Sequence, residues 1–226
     1  SVAVPETFPL GTADGLRALD VSVEADTDGV IESIRAVKNE AEIGYIRDAQ
    51  RANEAAMART EELLRATSVD DGVLIHEGEP LTSERVKQEI EIELLRRGYA
   101  LDETIVACGA DAADPHDRGS GPLEAGESII VDIFPRSKTT GYYGDLTRTF
   151  CVGEPSETIE RWYDLTLEAQ QAALERIEAG VSAETVHAAV CEIYEDAGIP
   201  TLRADESAET GFIHTTGHGV GLDIHE

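Results

Sequence analysis

Two apolar segments on either side of a short polar loop constrain the fold of this chain most. Residues 128–134 have the composition of a buried strand, and residues 142–152 read as a second strand after the polar residues 136–141. This arrangement predicts an antiparallel hairpin. Each strand carries one aspartate, Asp132 and Asp145, and the two lie equally far from the centre of the loop, so we expect them to be roughly opposite each other.

Helical segments surround the predicted hairpin. Asn39 can cap a long helix that continues to about residue 66, and Glu42 stands where a capping box needs it. Further helices are predicted for residues 83–97, 156–178 and 183–197, a further strand for residues 104–108, and irregular structure for residues 1–37. Helices and hairpin strands in separate blocks predict an α+β fold with a curved antiparallel sheet.

Asp132 is an unusual residue for its surroundings, because Ile and Val otherwise fill the strand that contains it. A lone buried carboxylate costs several kcal/mol unless it is paired or binds a cation. Asp145 raises the same question on the neighbouring strand. A divalent cation between the two aspartates would relieve their repulsion. The alternative is a buried salt bridge from one aspartate to Arg136 or Arg148.

A histidine cluster, His214, His218 and His225, favours the metal interpretation. Asp132, Asp145 and His218 form an N/O donor set suited to Mn, Fe, Co or Zn, with His214 and His225 flanking the site. The glycines at 217, 219 and 221 either leave room for a ligand or allow tight packing. His116 follows a proline in a loop and is equally typical of a surface residue, whereas His76 and His187 have structural surroundings.

The composition excludes some classes of function. The net charge is −28, with 46 acidic and 18 basic residues, so nucleic-acid binding is not expected. An acidic chain with only three lysines also suggests adaptation to high salt. No apolar run approaches the length of a membrane span and no signal segment opens the chain, so we expect a soluble, cytoplasmic protein. Three widely spaced cysteines predict no disulfide framework.

Several short motifs resemble those of the pita-bread metallopeptidases, above all the branch of Xaa-Pro aminopeptidase and prolidase. Methionine aminopeptidase and creatinase are relatives. The resemblance covers residues 39–226, and residues 1–38 resemble the end of a smaller N-terminal domain. The motifs are Pro115-His116, Val131-Asp132, the segment from Gly144-Asp145 to Phe150, and the segment from His214 through Gly217-His218 to His225-Glu226.

The resemblance implies a role for each motif residue. Asp132, Asp145 and His218 would be metal ligands, and His116, His214 and His225 would hold the substrate and the tetrahedral intermediate. The resemblance also implies two divalent metal ions that take part in the hydrolysis of peptides with proline in the second position. Manganese is the first choice, and cobalt, zinc or iron are alternatives. The family also suggests a homodimer.

One departure from the family pattern concerns the ligand set. In the family, two glutamate ligands complete the site, and they would come after Glu226 in the sequence. We therefore expect a chain truncated at both ends that lacks its C-terminal strands. As it stands, we expect this fragment to be inactive. Two other functions stay open: a creatinase-like hydrolase of another C–N bond, and a non-catalytic binding protein of the same fold.

Overall fold

The structure is a computed structural model that describes residues 1–115 and 117–226. Its helices are α1 Leu10–Arg17, α2 Val30–Ala36, α3 Glu40–Arg65, α4 Ser83–Arg96, α5 Glu157–Arg176 and α6 Ala183–Asp196. Its strands are β1 Val2–Val4, β2 Val23–Ala25, β3 Ser68–Asp70, β4 Val73–His76, β5 Glu79–Pro80, β6 Tyr99–Ala100, β7 Thr104–Cys108, β8 Ile129–Ile133, β9 Arg136–Ser137 and β10 Leu146–Phe150. This mixture of separate helical and antiparallel blocks confirms the α+β prediction.

The central sheet has the order β10-β8-β7, and both pairs of strands are antiparallel. In β8 the side chains of Ile129, Val131 and Ile133 are completely buried, because alternate residues of a strand face the same side. Helices α3 and α4 pack together over this buried face, and their Leu63, Leu64, Ile90 and Leu94 share one core with the strands. The opposite face of β8 carries Asp132.

The predicted helices are confirmed, and the start of α3 follows the predicted signal. The Asn39 side chain accepts hydrogen bonds from the backbone N–H groups of Ala41 and Glu42, and the Glu42 side chain accepts one from the Asn39 N–H. This reciprocal capping box satisfies donors that have no partner within the helix.

The prediction of irregular structure for residues 1–37 is wrong. These residues form α1, α2 and a parallel pair between β1 and β2. The Asp26 side chain accepts hydrogen bonds from the N–H groups of Val30 and Ile31 and so satisfies the start of α2. The elements are short: Pro9 and Gly29 are the N-cap residues of α1 and α2, whereas Gly11 and Gly15 lie within α1.

A second core lies between α5 and α6. It contains Ala169, Ala173, Val190, Cys191, Tyr194 and Phe212, and the last of these comes from the loop that leads to the histidine cluster. The three cysteines are free, as predicted. Among the described residues, no helix is long and apolar enough to cross a lipid bilayer.

Candidate metal centre

Asp132 is held in place by the strand beside it. Thr147 is its register partner on β10, and the Thr147 hydroxyl donates a hydrogen bond of 2.6 Å to Oδ1 of Asp132. Burial raises the pKa of Asp132, although the Thr147 hydroxyl and the nearby imidazole of His218 act against this effect. The second carboxylate oxygen therefore belongs to a poorly solvated group that gains from a cation.

The backbone of Asp145 is fixed by α3. The Gln50 side chain accepts a hydrogen bond of 3.2 Å from the N–H of Asp145 and donates one of 3.0 Å to its carbonyl oxygen. The preceding Gly144 allows this close approach, because a Cβ there would lie 2.9 Å from the backbone carbonyl carbon of Ala49. Helix α3 and the hairpin therefore meet directly at the residue that presents the second carboxylate.

The two aspartates share a neighbourhood, as expected, but they lie diagonally across the hairpin rather than directly opposite each other. Thr147, not Asp145, pairs with Asp132, because the turn comprises residues 138–141 and its centre lies one position later than expected. Asp145 is two residues from Thr147 and so belongs to the same side of the hairpin. Burial and then the negative charge of Asp132 raise the pKa of Asp145, which shows that the two carboxylates repel each other.

The buried salt bridge offered as an alternative does not form within the described residues. Arg136 donates to the carbonyl oxygen of Gly141 and lies over the ring of Tyr143, and Arg148 donates to the carbonyl oxygen of Thr147. The aspartates thus keep their charges uncompensated by either arginine.

His218 reaches the aspartates from the far end of the sequence. Its Nε2 lies 3.2 Å from Oδ2 of Asp145, and its Nδ1 lies 2.9 Å from the carbonyl oxygen of Gly219. Because a carbonyl oxygen only accepts, Nδ1 carries a hydrogen, and Nε2 is the ring atom directed at Asp145. Nε2 is therefore the atom that would bind a metal ion beside Asp145.

The other predicted histidines have different positions. His225 packs edge-on against His218 with ring centroids 4.2 Å apart, and it lowers the pKa of Asp145. His214 is exposed and makes an edge contact with Phe212 of the second core, with centroids 4.7 Å apart. His116 lies outside the described residues. The roles of these three histidines stay predictions.

Some contacts of the site carry no signal in the sequence. In the sequence, Gln50 and Thr147 are ordinary polar residues. His187, which the sequence indicated as structural, contacts the segment of the histidine cluster, with its Nδ1 2.8 Å from the hydroxyl of Thr216. Glu226 forms ion pairs with Arg35 and Lys38. Long-range partners of this kind leave no periodicity to read.

The chemical types of these donors fit a divalent metal ion, but their positions do not yet form a complete coordination site. Two carboxylates and an imidazole suit a transition metal, and a cation would offset the repulsion within the pair. Among the described residues, however, no three His, Cys, Asp or Glu side chains are already arranged to hold a metal ion. Asp145 and His218 are in contact, and Asp132 adjoins them.

Comparison with known proteins identifies the family. The sequence pattern of metallopeptidase family M24 matches residues 44–226. The chain belongs to this family. The M24 family uses divalent metal ions, and its pita-bread fold agrees with the resemblance that the motifs suggested.

Two relatives and one solved structure show which members of the M24 family this chain resembles. It is 33% identical over 225 residues to the probable dipeptidase PepE of Mycobacterium tuberculosis, across 99% of this chain and 53% of that protein. It is 32% identical to the Xaa-Pro dipeptidase of Pyrococcus furiosus, across 88% of this chain and 51% of the relative. The crystal structure of dipeptidase PepE from Mycobacterium ulcerans superposes with a TM-score of 0.77 at 32% identity, covering 99% of this chain and 55% of that one. The M24 chain thus spans about half the length of these relatives.

Proposed function

We propose that this protein is a metal-dependent peptidase that hydrolyses the bond before proline in Xaa-Pro peptides. The observation that carries the proposal is the contact between His218 and Asp145 beside Asp132, because it brings the three predicted ligands together from separate segments. Relatives named dipeptidase and Xaa-Pro dipeptidase support the choice of substrate. Residues 39–226 would belong to the catalytic domain and residues 1–38 to a smaller N-terminal domain.

Asp132, Asp145 and His218 would hold two divalent ions, manganese first and cobalt, zinc or iron as alternatives. Such ions, when bound, lower the pKa of water and polarise the scissile carbonyl group. The protein's own contribution begins with the Thr147 hydroxyl, which orients one oxygen of Asp132, and Gln50, which fixes the backbone of Asp145.

The histidines would handle protons and the developing negative charge. His225 adjoins His218 and could donate a hydrogen bond to a substrate oxygen beside the ligands. His214 and His116 would complete the substrate side, as the family resemblance implies. In this proposal the site binds a proline-containing peptide. We expect the protein to be cytoplasmic and to form a homodimer.

A substrate panel tests the proposal. The protein expressed from its complete reading frame, loaded with Mn²⁺, is assayed for release of free amino acid from Ala-Pro, from Ala-Pro-Ala and from the matched control Ala-Ala. We expect turnover of a proline peptide, little turnover of Ala-Ala, and loss of activity in Asp145→Ala. Hydrolysis of creatine but not of Ala-Pro would favour the creatinase-like alternative. Absence of turnover, with Asp145→Ala indistinguishable from the wild type, would favour the non-catalytic binding protein.

The panel also separates two specificities within the proposal. Turnover of Ala-Pro alone would indicate a dipeptidase, because the site then has to recognise both ends of a short substrate. Turnover of Ala-Pro-Ala as well would indicate an aminopeptidase, whose site leaves room beyond the proline. The same assay with Co²⁺, Zn²⁺ and Fe²⁺ in place of Mn²⁺ ranks the metals.

A further inference from the structure

The carboxylate of Glu226 is buried among donors. Its side chain is 6% exposed, and its Oε1 lies 2.9 Å from Nζ of Lys38, which is itself 12% exposed. Its Oε2 accepts hydrogen bonds from the guanidinium of Arg35 and from the backbone N–H groups of Leu222 at 3.0 Å and Asp223 at 3.3 Å. Arg35 also forms an ion pair of 2.7 Å with Asp223. Both carboxylate oxygens of Glu226 are therefore engaged.

These contacts close the segment that carries two of the site's histidines. The backbone N–H of Glu226 donates to the carbonyl oxygen of Gly219 at 3.0 Å. A Cβ at Gly219 would collide with the backbone oxygen of Glu226, and one at Gly221 would collide with its carboxylate. These two glycines therefore serve tight packing, and the closed segment sets His218 and His225 side by side.

The two cations come from the junction between α2 and α3, which also contacts the hairpin. Glu42, in the first turn of α3, accepts a hydrogen bond of 2.7 Å from the hydroxyl of Tyr142, which directly follows the turn of the hairpin. The backbone N–H of Tyr143 donates to the carbonyl oxygen of Gly221 at 2.8 Å. The residues around the junction thus contact the strand that leads to Asp145 through Glu42, and the segment that carries His218 through the two cations.

We infer that Arg35 and Lys38 are positioning residues for the metal centre, acting through Glu226 to set the distance between His218 and the two aspartates. This inference rests on the proposed metal-dependent function. Both cations precede residues 44–226, which the family pattern matches, so the family assignment gives them no role. A buried ion pair of this kind is geometrically demanding and contributes more to position than to net stability.

The test compares Lys38→Met with Lys38→Arg and with a matched control, Arg17→Met. Arg17 also belongs to the N-terminal segment and forms an ion pair, with Asp14, but both side chains are largely exposed. Two quantities are measured in the protein from its complete reading frame. The first is the set of histidine-ring NMR signals without metal, with His76 on β4 as internal reference. The second is the dissociation constant for Mn²⁺, from the free-ion EPR signal.

We expect Lys38→Met to shift the ring signals of His218 and His225, to leave that of His76 in place, and to weaken Mn²⁺ binding at least tenfold. Lys38→Arg should restore both quantities, because a cation is again within reach of Glu226. Arg17→Met should change neither. Wild-type ring signals and wild-type Mn²⁺ affinity in a folded Lys38→Met protein would overturn the inference.

A second variant covers the case in which Lys38→Met does not fold. Arg35→Gln alters a more exposed side chain, 31% exposed, and the same two measurements decide in the same direction. The NMR signals are recorded without metal, so they also separate this inference from the proposed function. Shifted rings in a protein that binds no Mn²⁺ would support the positioning role and refute the metal-dependent function.

Discussion

His218 Nε2 lies 3.2 Å from Oδ2 of Asp145, so a candidate ligand from the last segment of the sequence meets one at the start of the edge strand β10. The contact depends on two separate supports. Gln50 fixes the backbone of Asp145, and the ion pairs of Glu226 fix the segment that contains His218.

The substitution Asp145→Asn should stabilise the metal-free protein at neutral pH. Burial and the charge of Asp132 raise the pKa of Asp145 in the folded state, so its ionised form costs stability above that pKa. The amide removes this cost, and the gain should vanish as the pH falls below the ordinary value of 3.8, where the unfolded chain also becomes protonated. Thermal melting in EDTA from pH 3 to 8 measures the effect.

The control for this prediction is Asp164→Asn, which makes the same carboxylate-to-amide change at an exposed aspartate on α5. It should leave the melting temperature unchanged at every pH. A lower melting temperature for Asp145→Asn than for the wild type at neutral pH would show that the carboxylate stabilises the fold, contrary to this prediction.

Thr147→Val should weaken Mn²⁺ binding by about 10–100-fold, the usual effect of removing a group that orients a metal ligand. Valine keeps the shape of the side chain but loses the hydroxyl that donates to Asp132. Thr149→Val is the matched control, because Thr149 lies on the same side of β10 and pairs with Ile130. Isothermal titration calorimetry compares the two, and equal affinities would contradict the role given to Thr147.

Gly221→Ala should destabilise the protein by about 1–3 kcal/mol, the usual cost of forcing an extra group into a packed site. The new Cβ would meet the Glu226 carboxylate, which its hydrogen bonds prevent from moving away. Gly217→Ala is the control, since nothing lies within 4 Å of a Cβ there, and its effect should stay within about 0.5 kcal/mol. Urea unfolding measures both, and similar losses would contradict the packing role.

Potassium chloride should stabilise the protein. With a net charge of −28 the folded chain repels itself, and molar salt shortens the screening length to about 3 Å. The melting temperature should rise between low and molar KCl and rise less in sorbitol of the same osmolality, which screens no charge. No increase in KCl would argue against adaptation to high salt.

The sequence predicted the parts of this structure that depend on local signals. The capping box of Asn39 and Glu42 started α3 at the predicted residue, and the apolar pattern of residues 128–134 identified β8. The partner of Asp132 on the second strand was two residues off, because the turn is centred one position later than the middle of residues 136–141. Residues 1–37 were wrongly read as irregular, since short helices have too few turns to show periodicity.

The candidate site divides in the same way. Asp132 and Asp145 were recognisable as carboxylates in apolar strands and His218 as part of a histidine cluster, and the structure brings the three into one neighbourhood. Gln50 and Lys38 were not recognisable, because their importance arises from contacts with residues far away in the sequence. Such partners become visible only when the fold brings the segments together.

Mn²⁺ binding by His218→Ala and His214→Ala tests the central claim most directly, because both variants remove one imidazole from the same segment. His218 contacts Asp145, whereas His214 packs against Phe212. In the protein from its complete reading frame, calorimetry should show that His218→Ala loses tight Mn²⁺ binding and that His214→Ala retains it. Wild-type affinity in His218→Ala would contradict the assignment of Asp132, Asp145 and His218 as the metal centre.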